Sequence, residues 1–133
     1  MIKKILIVIG IIILIIVISQ VVNAAKYKMT VNVVEGENVL GVNPTTEKLD
    51  FGDLSRNGGM TRYVNLSSGG NTSVYVTAIK FGSISDLVDI SNNNFVLEPG
   101  KETKLAFDIY IPPSAETKTY SGWVWIFRIP KLF

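Results

Sequence analysis

Lys104-Leu105-Ala106-Phe107-Asp108-Ile109-Tyr110-Ile111, closed by Pro112-Pro113, sets large apolar side chains at 105, 107, 109 and 111 against Lys104 and Asp108. A repeat of two is the signature of a strand with one face buried, whereas a helix would repeat every 3.6 residues. The prolines that follow cannot donate to a sheet ladder and so end the strand. Working outward, the same grammar recurs. Residues 95–97 run into the turn dipeptide Pro99-Gly100. Residues 60–66 put Met60, Val64 and Leu66 on one side, and residues 27–34 alternate Tyr27, Met29, Val31 and Val33 with Lys28, Thr30 and Asn32. Residues 47–51, 73–81 and 120–129 complete the set, with Gly, Asn, Ser and Pro clusters between them. Asp50 and Asp53 then flank a turn at Phe51-Gly52, and the Gly pairs at 58–59 and 69–70 read as hairpin turns. No helical period follows residue 25, and no repeat of 20–50 residues is visible. Seven short strands in about 100 residues predict an all-β domain of two packed antiparallel sheets, a seven-stranded β-sandwich. Its expected core is Met29, Val31, Leu49, Phe51, Val64, Leu66, Phe95, Leu97, Leu105, Phe107, Ile109 and Ile111.

The N-terminal segment obeys different rules. Lys3 and Lys4 precede residues 5–18, fourteen residues without a polar side chain, and then come Ser19, Gln20, Val21 and Val22. A cleaved signal peptide has a basic start, a short apolar stretch and a small-residue cleavage site, and Val22-Asn23-Ala24 supplies such a site. The chain would then begin at Ala25. A retained anchor is the alternative: residues 5–22, about 27 Å as a helix, just cross the hydrocarbon core. The uniformity of the apolar run exceeds what targeting alone needs and favours the anchor. A prepilin-type leader fits less well, because Lys4-Ile5 lacks the small residue at which such leaders are cut. In the first two cases Lys3 and Lys4 stay cytoplasmic and the remainder is exported. The organisation expected is therefore a signal anchor or signal peptide over 1–24 and an extracytoplasmic domain over 25–133, single-pass, or secreted if cleaved after Ala24.

Composition narrows the chemistry of that domain. The chain has no cysteine and no histidine, which removes disulfides, thiolate chemistry, the commonest metal ligand and the commonest general base. The formal charge of +2 comes from Lys3 and Lys4; from residue 26 onward Lys/Arg and Asp/Glu balance. A neutral domain has no electrostatic footprint for nucleic acid, and no nucleic-acid partner is expected. Asp86 with Asp89, and Asp50 with Asp53, are only fragments of a calcium loop. There is no catalytic Ser/His/Asp set and no phosphate-cradling glycine loop. The expectation is a non-enzyme with no metal and no cofactor. Asn65-Leu66-Ser67 and Asn71-Thr72-Ser73 are sequons on the exported part, so Asn65 and Asn71 are candidate glycan acceptors.

Leu49-Asp50-Phe51-Gly52, Arg62-Tyr63-Val64-Asn65-Leu66, Phe95-x-Leu97-x-Pro99-Gly100, Leu105-x-Phe107 with Ile111-Pro112, and Tyr120-Ser121-Gly122 occur in that order. In order and spacing this resembles the broad immunoglobulin-like class that includes major-sperm-protein-like and hydin-type domains and many archaeal and bacterial cell-surface modules. The likeness spans roughly residues 47–126. It implies a binding, spacer or assembly module with no family catalytic residue. Three functions follow in order of preference. The first is a membrane-tethered module of the cell envelope that binds a protein or glycan partner. The second is a self-associating subunit of a surface filament, secretion or motility assembly, similar to the single-helix stator-type proteins of archaeal motility machines. An exported enzyme comes last.

One strand carries the candidate site. Residues 104–111 and 120–129 are expected to pair as a hairpin across the loop between them. Parity leaves two inward sets open on the second strand, Tyr120, Gly122, Val124 and Ile126, or Ser121, Trp123, Trp125, Phe127 and Ile129. The resemblance places the first set inside. Trp123, Trp125 and Phe127 then face outward beside Lys104, Ala106 and Asp108 as an interaction surface. The competing view is that they are core, or covered by the first strand and residues 130–133.

Overall fold

The computed structural model describes residues 1–44, 49–68 and 70–131. A helix α1 (Ile2–Asn23) is followed without a linker by β1 (Ala25–Val34), with Ala24 between them already in extended geometry. Then come β2 (Asp50–Ser55), β3 (Gly59–Ser67), β4 (Val74–Gly82), a 3₁₀ turn (Ser85–Leu87), β5 (Val88–Ser91), β6 (Phe95–Leu97), β7 (Glu102–Tyr110) and β8 (Thr119–Pro130). The chain is mostly β, with eight strands among the described residues in two sheets. One sheet has the order β2-β1-β8-β4-β6 and the other β3-β7-β5. Side chains from both sheets share a single apolar core, an arrangement consistent with a β-sandwich.

Within that core stand eleven of the twelve expected residues as buried side chains; Phe95 packs against it half-buried. The additions are Val33, Leu54, Val76, Ala78, Ile84, Val88, Ala115, Val124 and Ile126. The two sheets are also clipped at an edge. Arg62 has the inward parity of Val64 and Leu66, and its Nη1 donates to the Asp50 carbonyl at 2.9 Å.

Several local expectations are corrected. β5 was not among the seven strands read from sequence; Val88-Asp89-Ile90-Ser91 is too short to show a period. Residues 47 and 48 of the expected second strand, and Gly69 of the expected turn, lie outside the described residues. That second strand starts later and continues past Gly52, which is a bulge and not a turn. Thr30 faces Asp50 and Asn32 faces Asp53, so β2 spends an extra residue, and Gly52 takes φ 69° to allow it. β2 also runs parallel to β1, so the sheet is mixed.

The glycine turns do not make hairpins. Gly58 lies between β2 and β3, which belong to different sheets, and residues 68–73 likewise carry the chain from β3 across to β4. β7 and β8 do not pair either. β7 sits between β3 and β5, while β8 is hydrogen-bonded to β1 and β4. The residues beside Trp123 and Trp125 are therefore those of β1 and β4, not Lys104, Ala106 and Asp108. At the centre of this sheet Gly82 and Gly122 face each other; a Cβ on Gly122 would overlap the Phe81 carbonyl oxygen and crowd Ile84.

Candidate interaction surface

β8 is apolar on both faces. Gly122, Val124 and Ile126 point into the core and are buried, with Tyr120 packed half-buried at its start. Trp123, Trp125 and Phe127 therefore point outward, on the side expected of them. β4 repeats the arrangement: Val76 and Ala78 are buried, while Tyr75, Ile79 and Phe81 face the same outer side as the tryptophans. Register places Phe81 opposite Trp123, Ile79 opposite Trp125, Thr77 opposite Phe127 and Tyr75 opposite Ile129. Small side chains inside and large ones outside on two neighbouring central strands give one continuous apolar face.

Trp125 is the centre of that face. Its ring meets Phe81 edge-on at 5.2 Å between centroids and 83°, and Phe127 at 6.4 Å and 65°. Lys26 Nζ stands 5.4 Å from the same ring. These contacts leave Trp125 and Phe127 half-buried. Tyr75, Ile79, Phe81, Trp123 and Ile129 keep between 40 and 53% of their surface open. Nothing among the described residues covers the face, and Leu132 and Phe133 lie outside them. The β4 contribution was missed from sequence because Val74–Gly82 alternates two apolar sets, so its periodicity does not say which set faces out.

The same lysine ties the face to the helix. Lys26 Nζ donates to the carbonyls of Val21 at 2.8 Å and Ala24 at 3.3 Å, groups that the end of a helix otherwise leaves without partners. α1 touches β8 as well, and of its residues Gln20 and Val21 are the part-buried ones. α1 is apolar enough and long enough to cross a membrane, and none of its residues is fully buried.

The remaining candidates are spread apart. Asn65 on β3 and Asn71 in the following connection are both exposed. Asp50 Oδ1 accepts from Gly52 N at 2.9 Å and Thr30 Oγ1 at 3.3 Å, and Asp53 Oδ1 accepts from Asn32 Nδ2 at 3.1 Å. These carboxylates pin the bulge to β1. Among the described residues no group of three or more acidic residues is arranged to hold a metal. The chain matches no protein-family model and no curated protein.

Proposed function

We propose that the chain is a membrane-tethered, extracytoplasmic module of the cell envelope, non-catalytic, which binds a partner through the outer face of β8 and β4. The observation that carries this reading is a sheet in which two of the three interior strands, β8 and β4, carry large apolar side chains on the outer face as well as the inner one. Strands of that kind belong to sheets covered on both sides, and an uncovered aromatic face is a contact surface. α1 supplies the tether, with Lys3 and Lys4 on the cytoplasmic side by the positive-inside rule.

An immunoglobulin-like sandwich is the fold class we assign. Tyr120 supports it: it opens β8 after a cross-sheet connection, and its hydroxyl accepts from Glu116 N, four residues upstream, at 3.1 Å. Such a tyrosine corner recurs in that class. Changing Trp123→Ala together with Trp125→Ala removes the anchor residues without touching the inward set. The double variant should fold as wild type and lose the cross-linked adducts that the wild-type chain forms in its native membrane. Adducts that survive the double change would overturn the assignment of this face. Adducts of the chain with itself would favour the assembly-subunit reading, since a filament subunit must self-associate.

A further inference from the structure

We infer that the tether-proximal part of this face is seated on the lipid surface, with Trp125, Phe127, Ile129 and Tyr75 in the headgroup layer and basic side chains on anionic lipid phosphates. The inference rests on the tethered reading and names the occupant of part of the same face.

Geometry comes first. Ala25, the first residue of β1, is in register with Ile126, and β8 runs on for four residues to Pro130. At about 3.4 Å per residue that carries the strand roughly 13 Å past the helix exit. Val74 pairs with Pro130 and Leu97 with Val74, so β4 and β6 reach the same level. There is no linker to lift the domain away, and the bonds from Lys26 to the helix carbonyls hold the joint. A bilayer crossed by α1 therefore meets this end of the sheet at its polar boundary. That boundary favours ring systems such as Trp and Tyr, and lysines that reach from apolar stems to phosphate.

Charge agrees. The domain sums to zero, but the topology sorts it. Lys26, Lys101, Arg128 and Lys131 gather at the tether end, with Lys28 one step above and only Glu98 and Glu102 against them. At the far end stand Glu35, Glu37, Asp53, Asp86, Asp89 and Glu116, partly offset by Arg56, Lys118 and the ammonium of Lys80, which reaches from mid-strand to the Ser85 and Val88 carbonyls. The positive pole thus lies at the end of the domain that the helix joins, and clustered Lys and Arg beside a membrane are drawn to anionic lipid.

The chain contains two tryptophans, both on this face, so intrinsic fluorescence reads the seat directly. Full-length protein is reconstituted in phosphatidylcholine vesicles with phosphatidylglycerol as a minor component and with lipids brominated near the glycerol end of the acyl chain. Trp123→Phe leaves Trp125 as the reporter, and Trp125→Phe leaves Trp123. Trp125 should be quenched more strongly than Trp123, which lies about 7 Å farther from the helix exit. Arg128→Gln with Lys131→Gln should lower the seated fraction about tenfold or more in the anionic vesicles, and little in phosphatidylcholine alone. Release of the chain by alkaline carbonate would overturn the tether, and the seat with it. Retention of the chain with both tryptophans open to aqueous acrylamide and untouched by bromolipid overturns the seat alone. Shielding in native membranes but not in lipid vesicles assigns the face to a protein and also overturns it.

Discussion

Phe107 stands in the middle of β7 with no exposed surface, between Arg62 on one neighbouring strand and Ile90 on the other. Truncating it leaves a cavity that the two sheets cannot close, and Phe107→Ala should cost about 3–5 kcal/mol. Chemical denaturation reads this; a loss below about 1 kcal/mol would place the ring outside the core. Its neighbour Asp108 faces the other way, opposite Asp89 on β5. Hydrogen bonds donated by Thr61 and by Ser91 (2.8 Å from Oγ to Oδ2) hold its carboxyl below the ordinary aspartate range. A lowered folded-state pKa stabilises the fold above the unfolded value of about 3.9 and stops doing so as pH falls through the folded value. The denaturation midpoints of wild type and Asp108→Asn should therefore differ by a constant amount near neutral pH and converge below about pH 4. A gap unchanged into strong acid would mean the bonds do not depend on the carboxylate charge.

Elements were legible in the sequence where their two faces differ chemically, and hidden where they do not. β7 pairs bulky apolar residues with Lys104 and Asp108, so its inward face could be read directly. β8 and β4 are apolar on both sides, so periodicity locates the strands without orienting them. For β8 the inward set came out correctly from the resemblance, while the supposed hairpin partner was wrong. The aromatic surface was half read for the same reason: Trp123, Trp125 and Phe127 were found, and Tyr75, Ile79 and Phe81 were not. Pairing partners were illegible because a Gly-rich connection looks the same whether it turns within a sheet or crosses between sheets. α1 stood out by composition alone, but its processing did not. Retention predicts that N-terminal sequencing of membrane-derived protein returns Met1-Ile2-Lys3. Recovery of an end at Ala25 would make the chain a secreted domain and remove the tether.

At the scale of the whole molecule, β1 and β2 share a sheet, and from β2 onward every strand lies in the opposite sheet to the one before it. Each antiparallel partner is thus distant in sequence, and closing such pairings costs loop entropy before any contact repays it. β8 is the extreme case. It is the strand between β1 and β4, and it supplies Val124 and Ile126 to the core. Until it is made, β1 has only its parallel partner and β4 only the three-residue β6. On the proposed topology the domain can close on the far side of the membrane only once residues 119–130 have emerged. A chain stopped after residue 118 should insert its helix normally, yet be digested by thermolysin added to the outer side. The full-length domain should resist under the same conditions, because cleavage follows the population of the open form. A protease-resistant fragment from the shortened chain would mean that β1 to β7 hold a fold without the central strand, and that the closing role assigned to β8 is wrong.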